Sequence, residues 1–409
     1  MLETNEAEKE GGASSGYGPL SGVRVFDLTT WMVGPWASRY LGALGADVLH
    51  VERPGTLLGN LGRVPPTVNG TSVGYIAWNF NKRGISLDLK DPEHLALARQ
   101  LIKECDVFLI NMRPGVAERL GLGHSDLQAI NERLVYCSIT GWGGKGPLVD
   151  KQGADTHLQA FSGFWSLNGV EGGPGEYYRH YTQLDATTGN YAAQAVLFAL
   201  AGRMRTGRGR RVDISMLESA VSLQTLNIAT AMTEGNDLRP LGSASRWCAP
   251  DEVYRCQDGN YLGVSVTNDD QWASLVEVLK LQHLREDPAF RNMRCRVDNR
   301  RALREIIAPE LAKYPRAYWG LQLSAHGVPH GYSIDFEELR MHRQVLENDY
   351  LIDVDCGFWG RVWTGGSPWT FDNYQTSWFR PPLPGEHTDE VFRDLRNTEE
   401  VRQSNDQTA

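Results

Sequence analysis

Short apolar strands alternate with helical segments through the first half of the chain, and this alternation limits the fold more than any other feature. It begins with a strand VRVFDL, a helical stretch ASRYLGALGA and a second strand ADVLHVE that ends at Glu52. It continues with GISLDL, with a helix opened by Asp91 and Pro92, and with the strands DVFLINM and LVYCSIT. Strand–helix–strand units of this kind imply parallel pairing with right-handed crossovers. We therefore predict an α/β fold whose large domain is an open, parallel, Rossmann-like sheet.

The pattern changes in the second half, where a smaller α+β domain is expected. The small-residue run after Asp185 predicts a tightly packed helix that ends at a turn around Gly207. Farther on, DEVYR and YLGVSV predict two antiparallel strands joined at Asp258 and Gly259. The tail from Phe358 is rich in Trp, Pro and Gly and shows little helical period. Because 409 residues are long for a single core, the predicted limits are a flexible arm at 1–17, a large α/β domain at 18–234, a small inserted α+β domain at 235–335 and a segment at 336–409 that returns to the large domain.

The composition argues against several classes of protein. Lys and Arg number 41 against 50 Asp and Glu, a net charge of -9, whereas nucleic-acid binders need a concentrated basic face. No apolar run reaches the length of about 18 residues that indicates a membrane span, and the first residues lack the basic and apolar regions of a signal peptide. The six cysteines are scattered without a CxxC pair, and neither an HExxH zinc motif nor a GxxxxGK[ST] phosphate loop occurs. We therefore expect a cytoplasmic, metal-free protein with reduced thiols and no nucleic-acid or membrane partner.

An ordered series of motifs runs down nearly the whole chain and carries more information than composition. After the opening stretch VFDLTTWMVGPWASRYLGALGADVLHVERPG come NKRGISLDLK, NMRPGVAERLGLG, SITGWGGKGP, TGRGRRVDISMLE, AHGVPHGYS and PPLPGEHTDEVF. In these motifs, from residue 18 to about 395, the chain resembles the family III CoA-transferases. The resemblance implies an enzyme that moves coenzyme A between carboxylates, with CoA as part of its substrate and no permanently bound cofactor. It also implies that CoA binds in the 18–234 domain and that the protein is an interlaced homodimer.

The resemblance places the family's catalytic aspartate in a D-x-x-x-G motif, here Asp185 with Gly189. Attack of a carboxylate on a thioester carbonyl gives an anhydride, which the CoA thiolate can reopen to leave an aspartyl thioester. Because Asp185 opens a helix, we expect free backbone N–H groups to stabilise its carboxylate and the oxyanion of the tetrahedral intermediate. A simple N-cap is the alternative role for this residue.

The resemblance assigns six residues to CoA binding, near the carboxyl ends of predicted strands where α/β sheets bind ligands: Arg53, Leu87, Lys90, Asn111, Met112 and Arg119. Arg53 and Arg119 are expected to meet phosphates, since a guanidinium is a planar donor fork, although either could be a solvated surface residue. Leu87 and Lys90 flank the adenine position. A family lysine near the pantetheine falls at Gln152, so the basic residue at that contact is left open.

Two departures from other family members bear on the acyl substrate. Residues 241–250 read LGSASRWCAP where some relatives have a flexible glycine-rich loop, and Met32 replaces a glutamine. Arg246 in this segment is a candidate for holding a free substrate carboxylate, with an exposed loop arginine as the alternative. A closed, stiffer site would favour intramolecular transfer of CoA from C1 to C4 of mesaconyl-CoA. Intermolecular succinyl-CoA:dicarboxylate transfer is the alternative.

Two further functions are compatible with a CoA-binding fold. The resemblance implies that an α-methylacyl-CoA racemase has a histidine directly before the aspartate of a G-H-D segment, but here Gly153 and Ala154 precede Asp155. One acid/base group cannot run a two-base epimerisation, so this alternative is weakened. A non-catalytic CoA-binding protein would not need Asp185.

Overall fold

The computed structural model describes residues 18–55, 64–179, 182–235 and 238–406, so the arm expected at 1–17 lies outside the described residues. The chain divides into two compact units. The first comprises 1–158, 181–223 and 349–409, and the second comprises 159–180 and 224–348.

The first unit contains a sheet built from the strands that the sequence predicted. In chain order, the first strands of this unit are β1 (Arg24–Leu28), β2 (Asp47–Glu52), β3 (Thr67–Val68), β4 (Thr71–Ser72), β5 (Arg83–Ser86), β6 (Val107–Ile110), β7 (Val135–Thr140) and β8 (Arg211–Ser215). Strands β3 and β4 form a separate short pair. Among the described residues, six of these strands pair in the order β5-β2-β1-β6-β7-β8, and every pair is parallel. This confirms the predicted open parallel α/β sheet. The chain order reverses between β1 and β6, which makes their carboxyl ends the topological switch point.

Helices cover both faces of this sheet. In chain order they are α1 (Val33–Ala43), α2 (Val73–Trp78), α3 (Pro92–Lys103), α4 (Val116–Arg119), α5 (His124–Ile130), α6 (Asp155–Phe161), α7 (Gln183–Thr206) and α8 (Met216–Leu223). Each face of the sheet packs into its own apolar core, and successive residues of β1 point to opposite faces. Val25 packs with α1 and α7, and Phe26 packs with α3. Burial on both faces explains why these strands read as continuous apolar runs.

Helix α7 packs directly on α1, and a glycine permits the close approach. A Cβ placed on Gly189 would lie 2.7 Å from the carbonyl oxygen of Val33 and 3.0 Å from Cδ1 of Trp36. Helix α7 runs to Thr206 and is followed by Gly207 at φ 71°, a left-handed conformation that suits glycine. The packing therefore fixes the first turn of α7, where Asp185 lies, against the start of α1.

The tail contains a long helix that its weak helical period did not predict. After β12 (Leu351–Asp355) and β13 (Arg361–Gly365), helix α16 spans Thr388–Asp406. Its buried residues Val391 and Leu395 are four apart and pack into the core beside α3. These are few among many polar residues, which hides the helical period in the sequence. The backbone N–H of Ser86 in edge strand β5 donates to Thr388 Oγ1 at 3.0 Å, so the tail covers that edge.

The second unit has its own core. It comprises α9 (Thr225–Glu234), β9 (Asp251–Arg255), β10 (Tyr261–Ser265), α10 (Asp269–Val278), α11 (Met293–Asp298), α12 (Arg300–Leu311), α13 (Arg316–Ala325), β11 (His330–Tyr332), α14 (Phe336–Met341) and α15 (Arg343–Leu346). The antiparallel pairing of β9 with β10 confirms the predicted hairpin, with Gly259 at φ 78° in its turn.

The unit boundaries differ from the domain limits expected from the sequence. Residues 159–180, 224–234 and 336–348 belong to the second unit rather than to the large domain and its returning segment. Long-range hydrogen bonds account for the first two: the Gln159 amide donates to the carbonyl oxygen of Tyr178 at 3.0 Å, and the Gln224 amide donates to that of Ser162 at 3.1 Å. Such contacts leave no periodic trace in the sequence.

Candidate active site

A cavity of about 450 Å³ opens at the switch point of the sheet, inside the first unit. It lies at the carboxyl ends of β1, β2 and β6 and has a size typical of a small-molecule site. Five of the six residues assigned to CoA line it: Arg53, Leu87, Lys90, Asn111 and Met112. The structure therefore brings together residues that lie up to 59 positions apart in the sequence (53 to 112).

One end of the cavity combines positive charge with an apolar wall. The Arg53 guanidinium lies 3.8 Å from the Asp88 carboxylate, and its side chain is 62% exposed. Lys90 is also exposed and lines the cavity, whereas Leu87 is 2% exposed and forms part of its wall. Arg119 is exposed on α4, but it is not among the described residues that line the cavity. Two cations and a buried leucine in one cavity lining suit a phosphorylated ligand with a flat base.

The side chain of Asn111 is engaged with the protein itself. Its Oδ1 accepts from the Thr30 N–H at 3.0 Å, and its Nδ2 donates to the Thr30 carbonyl oxygen at 2.7 Å. Both halves of the amide are used in fixing the loop that leads from β1 into α1. The structure therefore gives Asn111 a positioning contact, whereas the sequence assigned it a ligand contact.

A buried charge network supports the same loop, and the sequence analysis missed it. One carboxylate oxygen of Asp27 accepts from Ser38 Oγ at 2.6 Å and Lys82 Nζ at 3.2 Å, and lies 3.1 Å from His50 Nδ1. Burial alone would raise the pKa of Asp27, but the charges of Lys82 and His50 hold it well below its usual range. Burial lowers the pKa of Lys82 to about 8, opposed by Asp27. An aspartate inside the apolar run VRVFDL is the signal that could have revealed this network.

Asp185 lies in the first turn of α7, but its neighbourhood differs from the expectation. The Asp155 Oδ2 accepts from the N–H groups of Leu184 at 2.8 Å and Asp185 at 3.3 Å, and the Ala186 N–H donates to the Thr182 carbonyl oxygen at 3.0 Å. These three helix N–H groups are therefore occupied, and the expectation that they are free to stabilise the Asp185 carboxylate was wrong. The physical reason is that Asp155, itself 5% exposed, binds two of them and the helix backbone binds the third.

The protonation of Asp185 reflects this arrangement. Burial and then the Asp155 carboxylate raise the pKa of Asp185 to about 7, while a hydrogen bond from Thr182 opposes the rise. A simple N-cap would have shown a lowered pKa, because capping carboxylates accept N–H bonds. Asp185 is instead a half-buried carboxyl poised to ionise near neutral pH, a property typical of reactive groups.

The remaining candidates fall in two places. Met32 is 4% exposed, and its sulfur contacts Thr182 Oγ1 beside the Asp185 turn. Arg246 belongs to the second unit, where its guanidinium donates to the Arg239 carbonyl oxygen at 2.8 Å. Gln152, at the position of a family lysine, is exposed.

Within the described residues, no group of three His, Cys, Asp or Glu side chains is arranged to hold a metal ion. In the same part of the chain, no helix has the length and apolar character needed to cross a bilayer.

Comparison with known proteins identifies the class. The model of CoA-transferase family III matches residues 20–388, so the chain belongs to this family and is a CoA-transferase. Succinyl-CoA:glutarate CoA-transferase of Mus musculus is 32% identical over 387 residues, covering 93% of this chain and 87% of its own. Succinyl-CoA–D-citramalate CoA-transferase of Chloroflexus aurantiacus is 27% identical over 395 residues, covering 92% and 94%. The crystal structure of a CAIB/BAIF family protein from Brucella suis superposes with a TM-score of 0.81 at 29% identity, covering 93% of this chain and all of that one.

Proposed function

We propose that the protein transfers CoA between the carboxylates of small dicarboxylic acids through an aspartyl-CoA thioester on Asp185. The observation that carries the proposal is the half-buried Asp185 carboxyl in the first turn of α7, with its pKa of about 7. A carboxylate whose nearest N–H donors are occupied by Asp155 is weakly solvated by the protein and hence basic and nucleophilic.

The reaction runs through two anhydrides. One oxygen of Asp185 attacks the thioester carbonyl, and collapse of the tetrahedral intermediate expels the CoA thiolate and leaves an acyl-aspartyl anhydride. The thiolate then attacks the Asp185 carbonyl carbon, which releases the first carboxylate and leaves the aspartyl thioester. An acceptor carboxylate attacks that thioester, and the expelled thiolate cleaves the new anhydride at its acyl carbonyl. The product is a new acyl-CoA, and Asp185 is regenerated with no net proton transfer.

The nucleotide half of CoA is proposed to occupy the cavity end with Arg53, Leu87 and Lys90, and Arg119 on α4 adds positive charge nearby. Arg53→Ala and Lys90→Ala should each raise the KM for acyl-CoA about tenfold with little change in kcat, because they contact a part of the substrate remote from the reacting bond. The measurement is steady-state kinetics at two ionic strengths. The loss should shrink at high salt, where phosphate contacts are screened.

Arg343→Ala is the matched control for these two variants. Arg343 is 87% exposed in the second unit and pairs only with Glu347 on its own surface in the contacts described. Its KM should stay at the wild-type value. An unchanged KM in both cavity variants would place the nucleotide elsewhere.

The relatives support dicarboxylates as substrates. The names of the two relatives pair succinyl-CoA with glutarate and with D-citramalate. Each activity would move CoA from a four-carbon diacid to a separate five-carbon diacid. Intermolecular transfer from succinyl-CoA to a dicarboxylate is therefore one mode that we propose. The racemase alternative has less support, because Ala154 provides no second acid/base group.

A loop held by several hydrogen bonds favours intramolecular C1 to C4 transfer on mesaconyl-CoA as the second mode. In segment 241–250, the Ser245 N–H donates to the Asp251 carbonyl oxygen at 2.8 Å, and Arg300 donates to the Ser245 carbonyl oxygen at 3.3 Å. The buried Arg296 binds the Ala249 carbonyl oxygen at 3.0 Å. A loop held at several points is stiffer than a glycine-rich one, and a stiff loop would help to retain a released diacid between the two half-reactions.

Isotope labelling separates the two modes. Mesaconyl-C1-CoA is incubated with the enzyme and with an excess of ¹³C-labelled free mesaconate, and the product is analysed by mass spectrometry. Intramolecular transfer predicts unlabelled mesaconyl-C4-CoA. Efficient incorporation of label supports the intermolecular mode, which a panel of C4 and C5 acceptors with succinyl-CoA would then define. No transfer in either assay would contradict both modes.

A cytoplasmic homodimer is part of the proposal. Two large apolar side chains on α7, Phe198 and Met204, are 73% and 88% exposed. Exposed apolar side chains on one helix favour binding to another protein surface. A second copy of the chain is the partner that the family resemblance implies.

A further inference from the structure

The loop between β1 and α1 is held by four hydrogen bonds. The buried Thr29 donates its backbone N–H to Asp27 Oδ1 at 3.1 Å, and its hydroxyl donates to the same oxygen. The next residue, Thr30, has both its backbone groups bound by the amide of Asn111, at 3.0 and 2.7 Å. Side chains from β1 and from the end of β6 thus determine the path of this loop.

The residue that follows these anchors adopts an unfavourable backbone conformation. Trp31 has φ 65°, in the left-handed region where the Cβ of a bulky residue is crowded. Residues held in such conformations cluster at functional sites, where the surrounding structure maintains the strain. Trp31 is also 51% exposed and lines the cavity, whereas tryptophan is usually well buried. The strained backbone therefore displays a large aromatic side chain into the cavity rather than into the core.

Trp31 is linked through its neighbour in the chain to the turn that holds Asp185. The next residue, Met32, contacts Thr182, which is hydrogen-bonded to Asp185. Arg53 follows β2 and Lys90 follows β5, whereas Trp31 follows β1, on the side of the sheet toward β6. Trp31 therefore connects the cavity wall to the turn that holds Asp185.

We propose that Trp31 is a ligand-contact residue that packs its indole against the pantetheine and thioester end of the bound acyl-CoA. This inference rests on the proposed function, because it requires CoA in the cavity with its thioester toward Asp185. An indole supplies a large, rigid apolar surface at this point, and it would keep water away from the thioester.

Fragments of the ligand test the assignment. The dissociation constants of CoA and of adenosine 3′,5′-bisphosphate, its nucleotide half, are measured by calorimetry for wild type, Trp31→Ala and Trp31→Phe. Trp31→Ala should weaken CoA about tenfold and change the bisphosphate less than about twofold, since only CoA reaches the indole. Trp31→Phe should retain most of the CoA affinity. Equal weakening of both ligands, or no weakening of CoA, would overturn the proposal.

The backbone strain has its own readout. Trp31→Gly should unfold at a higher temperature than Trp31→Ala, by about 2 °C, because glycine tolerates a positive φ, while both variants bind CoA equally weakly. A less stable glycine variant would contradict the left-handed conformation. If the wild-type protein binds neither CoA nor the bisphosphate, the proposed function itself fails. If it binds both and Trp31→Ala binds CoA as well as wild type does, only the role of Trp31 fails.

Discussion

Asp185→Asn is expected to lower the rate of CoA transfer by about a thousandfold or more, because the amide cannot form the anhydride or carry CoA. The same substitution should raise thermal stability at pH 8. The folded-state pKa of Asp185 is about 7, above its ordinary value of 3.8, so ionising this group destabilises the folded protein as pH rises from about 4 to 7. The stability gain of the variant should therefore shrink toward pH 4.

Steady-state kinetics, thermal unfolding and mass spectrometry check this prediction together. Wild type incubated with acyl-CoA should yield a peptide from the start of α7 with CoA attached at Asp185, and the variant should yield none. Asp150→Asn is the matched control, since Asp150 is exposed and does not line the cavity. Near-wild-type turnover by a folded Asp185→Asn protein would eliminate the aspartyl thioester.

Asp155→Asn is expected to move the pH dependence of the first half-reaction to lower pH. Only ionised Asp185 attacks, so the wild-type rate should rise with pH through about 7. Asparagine keeps an oxygen that can accept the N–H bonds of Leu184 and Asp185 but removes the negative charge. The pKa of Asp185 should then fall by roughly one unit, a size common for a lost neighbouring charge. Relative to wild type, the variant gains rate at pH 6 and loses rate at pH 8, where the less basic carboxylate is the weaker nucleophile.

Three other charged groups, on α7 and on elements packed against it, are engaged elsewhere. Arg39 of α1 donates to the Gly365 carbonyl oxygen, and Arg211 of β8 pairs with Asp213. On α7 itself, Arg203 near the far end binds Asp106. The charge of Asp155 raises the pKa of Asp185. Removing that charge therefore tests its effect on the reaction directly.

Asp91 offers a control that separates capping from charge. Its carboxylate caps α3 by accepting from the N–H groups of Glu93 and His94 at 2.8 and 3.2 Å, in the same compact unit. Asp91→Ala and Asp155→Ala should both lower the unfolding temperature through loss of a cap. Only substitutions at Asp155 should move the pH profile of pre-steady-state CoA release. A shifted profile in Asp91→Ala, or an unshifted one in Asp155→Asn, would contradict the role of Asp155.

The sequence predicted well wherever the signal was local. The strands of the parallel sheet have continuous apolar runs, Asp91 and Pro92 mark the start of α3, and Gly259 marks the β9–β10 turn. Helix α16 escaped prediction because only Val391 and Leu395 among its described residues are buried, too few to show a period. The ordered motifs located five of the cavity-lining residues, and the position of each at a strand end explains why they meet.

By itself, the sequence determined the open parallel sheet, the helix whose first turn holds Asp185 and the family to which the chain belongs, because periodicity, caps and motifs are properties of neighbouring residues. Only the tertiary structure decided the chemical state of that aspartate. Asp155, 30 positions away, takes the N–H groups that a helix start would have offered, and burial then raises the pKa of Asp185 instead of leaving it lowered. The same holds for Trp31, whose exposure depends on Asn111, 81 positions beyond the loop that it anchors. Desolvation and long-range hydrogen bonds depend on distances in space, which no local pattern in the chain records.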